Sequence, residues 1–103
     1  PGSLAEAGSR SPVKADPAAG QLLVSLRIDS EAVVRSNCIW ALGRLMDQLV
    51  QPRQAEIVEA LVSALLHDGE ISVRDEARTA LEQLEDPLVL ERLQALINDG
   101  FIL

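Results

Sequence analysis

An all-α solenoid of antiparallel helix pairs, about five helices in all, is the fold class the sequence predicts, and two observations predict it. Residues 29–45 and 68–84 are two versions of one 17-residue phrase, DSEAVVRSNCIWALGRL and DGEISVRDEARTALEQL, 39 positions apart. Seven of the 17 aligned pairs are identical: Asp29/Asp68, Glu31/Glu70, Val34/Val73, Arg35/Arg74, Ala41/Ala80, Leu42/Leu81 and Leu45/Leu84. A fixed period near 40 with no strand pattern argues for helical hairpins that bury their faces against one another. The second observation is compositional. The chain is 48% apolar with one Phe, one Trp and no Tyr, so its packing is aliphatic, and 103 residues suit one domain.

The elements follow in order. Residues 1–17 are rich in Pro, Gly, Ser and Ala and are expected to form a disordered leader, with 18–103 as the folded repeat domain. Pro1-Gly2-Ser3 reads as a cloning remnant, which implies a piece of a longer protein. A first helix is predicted over 17–28, carrying Leu22, Leu23, Leu26 and Ile28, which align at the same offset with Leu61, Val62, Leu65 and His67. A second follows Asp29-Ser30, either of which can cap its first turn, and runs to about residue 49, before Gln51-Pro52. The third, over 53–67, is apolar on a wide arc through Ile57, Val58, Leu61, Val62, Leu65 and Leu66, which calls for neighbours on two sides. The fourth begins after Asp68-Gly69 and ends near residue 84. Asp86 caps a fifth with Pro87 at its first position, where a missing N–H costs nothing. Asn98-Asp99-Gly100 supplies a left-handed stop, after which Phe101-Ile102-Leu103 can fold back as an apolar lid. Linkers this short make successive helices antiparallel neighbours.

The turn pattern, an Asp followed six residues later by Arg with Val before the Arg, occurs twice, as Asp29…Val34-Arg35 and Asp68…Val73-Arg74. With the period, it resembles the HEAT repeat family over about 19–100. That resemblance implies a solenoid whose turn Asp and Arg side chains form a hydrogen-bonded ladder, so Asp29, Arg35, Asp68 and Arg74 are expected to brace one repeat against the next. It also implies that the second helix of each pair lines the surface that commonly binds partners. Two full turns with an unpaired helix at each flank fall short of the roughly three repeats that stand alone, so something is expected to cover the flanks.

Charge narrows the partners. Residues 54–103 carry eleven acidic and three basic groups, a net of −8, whereas 21–53 carry a net of +1. Nucleic acid is an unsuitable ligand for such a field, because phosphate binding depends on Lys and Arg neutralisation; a protein partner with a basic surface suits it. No membrane partner is expected, since no apolar run approaches the roughly 18 residues of a span. Cys38 is the only cysteine and excludes an internal disulfide, which points to an intracellular, preferably cytoplasmic, address. Catalysis is hard to build: His67 is the only histidine and no phosphate loop, zinc spacing or nucleophile elbow occurs. Metal and cofactor are therefore expected to be absent. Glu56/Glu59 and Glu82/Glu85 read as solvated surface, and Cys38, aligned with Ala77, as a small core residue.

Trp40 is the residue that stands out. At about 100° per residue, Val34, Cys38, Ala41, Leu42, Leu45 and Leu49 share one side of the second helix and Trp40 points the opposite way. Its companions there are Val33, Ser36, Gly43 and Asp47, while the matching positions of the fourth helix are Ser72, Asp75, Thr79, Glu82 and Asp86. Val33, Ser36, Trp40, Gly43 and Arg44 are the expected protein-contact patch, widened by Ile39 and Met46. The function expected is a non-catalytic interaction scaffold, part of a longer repeat protein. The alternative is a terminal structural segment whose Trp40 is covered by the N-terminal stretch or a missing repeat, or that homodimerises through uncapped repeat ends.

Overall fold

The computed structural model describes residues 12–103, which form five α-helices: α1 (Pro12–Ile28), α2 (Ala32–Leu45), α3 (Arg53–His67), α4 (Ile71–Gln83) and α5 (Pro87–Asn98), with a single 3-10 turn, Met46–Gln48, after α2. No strand occurs among the described residues. Successive helices are antiparallel and sort into two layers. Helices α1, α3 and α5 form one, α2 and α4 the other; α2 lies against α4 along its length, whereas α1 touches α3 only lightly. The pairs α1–α2 and α3–α4 are the two copies of the sequence repeat, and α5 lies beside α4 as the first helix of a third pair.

The helix boundaries have local causes. The α1 helix begins at Pro12, five residues before the expected start, so the expected leader over 1–17 is too long; the remainder of it, 1–11, lies outside the described residues. Ala15 and Ala19, one turn apart, are buried, which outweighs the intrahelical bond that Pro17 cannot donate. Asp29 does not cap the first turn of α2. Its carboxylate accepts the Glu31 N–H at 2.9 Å and fixes the turn just before the helix, as Asp68 does with Glu70 at 3.0 Å. The α2 helix stops at Leu45 rather than near 49, and Gln54 takes over from the helix ladder. Its side-chain amide donates to the Met46 carbonyl at 2.8 Å and the Leu49 carbonyl at 2.9 Å, satisfying groups that the helix end leaves open. The fifth helix starts as expected, with the Asp86 carboxylate accepting the Leu88 and Val89 N–H groups and Pro87 at its first turn. It ends at Asn98, and Gly100 just beyond it, with φ +83°, is the left-handed stop. The apolar lid is only partly formed: Ile102 packs on the core, but Phe101 and Leu103 are exposed.

The core is one aliphatic cluster running between the layers. Leu42, Ile57, Leu61, Val73, Ala77 and Leu81 are fully buried, and each layer contributes to it. Ile39 is also fully buried, and Met46 is half-buried against the core, so neither widens an outer patch. The reason lies in the layer arrangement: α2 packs against both α1 and α4, so its covered arc is wider than the single stripe that periodicity suggests, and Ile39 faces α4 rather than solvent. At the other edge of the stripe, Val34, Ala41 and Leu45 are only half-buried.

Ile39→Ala is therefore expected to lower unfolding free energy by about 3 kcal/mol through the cavity it leaves, while Val33→Ala, six residues away on the exposed face, costs less than about 0.5 kcal/mol. Chemical denaturation of the two variants checks the assignment.

Candidate functional site

The two turns that open α2 and α4 hold the expected bracing residues. Arg35 Nε and Nη2 donate to the two carboxylate oxygens of Asp68 at 2.9 and 3.0 Å, and Nη1 donates to the Asp29 carbonyl at 3.0 Å. One guanidinium thus joins the turn of its own repeat to the turn of the next. The bidentate fork is the strong geometry for this pair, and its side chains are only 15% and 10% exposed. The Arg35 hydrogen bonds hold the Asp68 carboxyl below the ordinary carboxylate range, against a smaller opposing push from burial. Arg74 repeats half of the arrangement: its Nη1 donates to the Asp68 carbonyl at 2.7 Å. The Asp29 carboxylate, the equivalent of Asp68, accepts a backbone N–H but no arginine among the described residues.

The outer face of α2 carries the expected patch only in part. Val33 is 65% and Trp40 57% exposed, and Arg44, one turn beyond Trp40, is exposed with its guanidinium carbon 5.0 Å from the indole centroid. That contact stacks a cation on the ring and follows from an i, i+4 spacing that was legible in the sequence. Ser36 is half-buried. Gly43 belongs elsewhere: a Cβ built on it would lie 3.7 Å from the Ala80 Cβ, so it marks the contact of α2 with α4. Ala41, expected in the core on periodicity, is half-buried, and Leu45 packs against the core from its edge; both line a shallow depression of about 600 Å³ together with Trp40, Arg44, Asp47 and Gln48.

Beside this face lies an acidic one. Ser72, Asp75, Thr79 and Glu82 are exposed on α4, and Asp86, the cap of α5, is exposed beyond its end. A cleft of about 830 Å³ separates α1 from α3 on the opposite layer, with Leu23, Leu26, Ala60 and Ala64 among its walls. Arg53 closes its rim by donating to Asp16 on α1 at 3.0 Å and to Glu56 at 2.8 Å. Cys38 is buried in the core, and burial pushes its thiol pKa up, which suits a packing residue rather than a reactive one. His67, the last residue of α3, is exposed. Among the described residues no cluster of three or more His, Cys, Asp or Glu side chains could hold a metal ion, and no helix is long and apolar enough to cross a membrane.

A family model described as HEAT repeats matches residues 17–101. No curated protein and no solved structure matches the chain.

Removing one partner of the Arg35–Asp68 fork leaves the other charged group without its bidentate partner, so Arg35→Ala is expected to lower the melting temperature. The pH dependence has a definite sign. The Asp68 pKa is lowered by folding, so its contribution is fully present above the unfolded value and is lost as pH falls below about 4. Thermal melts of wild type and Asp68→Asn between pH 7 and 3 check this: wild type loses stability toward acid more steeply than the variant.

Proposed function

Because the chain belongs to the HEAT repeat family, we propose that it is a protein-binding scaffold without catalysis of its own, whose partner seats on the outer face of α2. The observation that carries this reading is Trp40, a large indole more than half exposed at a position where the otherwise similar α4 has Thr79. An exposed indole stiffened by Arg44 offers large apolar area at small entropic cost, the profile of an interface anchor. Val33 extends the apolar area along the same face. The acidic groups of α4 and of the α5 cap favour a basic partner surface, with Asp75, Glu82 and Asp86 steering it toward the indole. Nucleic acid is a poor candidate for the same electrostatic reason.

A second reading draws on α5. Leu88 is 76% and Phe101 69% exposed at the end of the array, and self-association through that end would bury them. Sedimentation over a concentration range separates the two readings, because only self-association grows with the concentration of the chain alone.

Affinity capture followed by titration of the recovered partner tests the primary reading. Trp40→Ala is expected to weaken binding at least tenfold while helicity and melting temperature stay those of wild type, and raising salt is expected to weaken binding further. Equal affinity of wild type and Trp40→Ala, or indole emission typical of a buried ring, would contradict it.

A further inference from the structure

Aspartate followed by glycine occurs twice in the chain, as Asp68-Gly69 and Asp99-Gly100, and in each the aspartate is the residue that ends a helix, α3 in one case and α5 in the other. This dipeptide carries its own chemistry. Glycine has no side chain to shield its nitrogen, so the nitrogen can reach the carboxyl carbon of the aspartate before it and close a succinimide ring. The two copies differ in what restrains them.

At Asp68 every movable part is held. Arg35 donates to both carboxylate oxygens, and Oδ1 also accepts the Glu70 N–H at 3.0 Å. The Asp68 carbonyl accepts Arg74 Nη1 at 2.7 Å. Asp99 lacks these partners: its carboxylate and its carbonyl accept no hydrogen bond among the described residues, and Asn98, Gly100 and Phe101 are exposed beside it. What restrains this turn is backbone bonding, from the Gly100 N–H to the Ile97 carbonyl at 3.1 Å and from the Phe101 N–H to the Leu96 carbonyl at 2.9 Å.

Neither turn rests in the attacking geometry. With ψ 137° at Asp68 and −3° at Asp99, the glycine nitrogen is turned away from the carboxyl carbon, and the aspartate must rotate about ψ before the ring can close. At Asp68 that rotation swings the carbonyl off Arg74 and draws the carboxylate out of the Arg35 fork, in a turn between two packed helices. At Asp99 it breaks exposed backbone bonds at a helix end, which open by local fluctuation. Protonation adds to the difference. The carboxyl reacts fastest as the neutral acid, whose hydroxyl is the better leaving group, and the Arg35 hydrogen bonds hold the Asp68 carboxyl below the ordinary carboxylate range.

We propose that Asp99 is a site of spontaneous isomerisation to isoaspartate, and that the Arg35 fork shields Asp68 from the same reaction. The Gly100 nitrogen bonds to Asp99 Cγ, the amide proton leaves with the carboxyl hydroxyl as water, and a succinimide remains. Water then adds to one of the two ring carbonyls. Breaking the bond from Cγ to nitrogen restores aspartate. Breaking the bond from the main-chain carbonyl carbon to nitrogen leaves the backbone running through Cβ and Cγ, with the former main-chain carbonyl as a free carboxylate. One water leaves and one returns, so no other reactant is needed and the mass is unchanged.

The added backbone methylene alters the end of α5. The Phe101 N–H loses its register with the Leu96 carbonyl, and with that bond gone Ile102 loses its seat on the core and the Leu103 carbonyl its contact with Arg78. Isomerisation at Asp68 would instead lengthen the turn between α3 and α4 that the fork fixes. The guanidinium that sets the spacing of the repeats thus also preserves the covalent backbone beside it.

The full chain tests this without a variant. Samples are aged for weeks at physiological temperature and pH, in buffer and in concentrated urea, then digested, and isoaspartyl peptides are identified by electron-transfer fragmentation. In urea the two aspartates are expected to convert at similar rates, because both precede glycine. In buffer, Asp99 is expected to stay within a few-fold of its urea rate and Asp68 to fall about tenfold or more below its own. Arg35→Gln, aged at a temperature where its helicity is that of wild type, is expected to speed conversion at Asp68 and leave Asp99 unchanged. Asp99→Glu, which keeps the charge but must close a larger ring, is expected to stay unmodified and to retain the Ile102 amide shift that ageing moves in wild type. Equal protection of the two sites in buffer, faster conversion at Asp68, or no isoaspartate at Asp99 would overturn the proposal. So would a folded Arg35→Gln that converts Asp68 no faster than wild type. The comparison of buffer with urea decides the assignment even where that variant does not fold.

Discussion

A single guanidinium sets the relation between the two halves of the molecule. Arg35 reaches back to the Asp29 carbonyl and forward to both oxygens of Asp68, so it fixes the spacing of the two turns and the rotation of α2 against α4. Apolar burial alone would tolerate sliding between two smooth aliphatic helices, since dispersion and hydrophobic contact are non-directional. A bidentate fork does not tolerate it. The fork therefore determines which residues of α2 face inward, and through that choice Ile39 is buried, Gly43 meets Ala80 and Trp40 is left outside.

The same geometry gives the array a direction. Toward its C-terminal side the helix layer containing α2 and α4 ends in charge, with Arg78 bonded to Glu82 and to the Leu103 carbonyl. Toward its N-terminal side it ends in Val34, Ala41 and Leu45 with an acidic turn at Asp29. Charged ends are soluble without a neighbour, whereas half-buried aliphatic ends invite one. The other layer is held differently. Helices α1 and α3 barely touch and are tied at the rim by Arg53 to Asp16, and α5 is tied to α3 by Arg92 to Glu59. Exposed pairs of this kind contribute little energy, so the inner layer and its buried fork carry the packing between repeats.

Much of this was legible in the sequence, for reasons that can be named. The α3 helix is bounded where expected because Pro52 precedes it and Asp68 follows, and α5 because Asp86-Pro87 and Gly100 are strong local signals. The Asp and Arg ladder could be read because the phrase occurs twice. The start of α1 could not, since Pro17 suggests an end where the burial of Ala15 and Ala19 sustains a helix. Ile39 and Gly43 were misassigned to the outer patch because a helical wheel assumes one covered stripe, and α2 is covered by both α1 and α4. Ala41 is less covered than a core position for the converse reason: its counterpart Ala80 owes its cover to α2, and Ala41 has no such neighbour among the described residues, whereas Leu45 packs against the core as expected.

The most direct measurement is proton exchange at the arginine Nε–H groups by NMR, because the turns that open α2 and α4 hold one complete fork and one half-made one. The Arg35 Nε–H, bonded to Asp68, is expected to exchange slowly with water, and the Arg74 Nε–H, whose guanidinium reaches only a carbonyl through Nη1, to exchange at a rate near that of a free arginine. Equal exchange at the two sites, or protection at Arg74 and not at Arg35, would contradict the account.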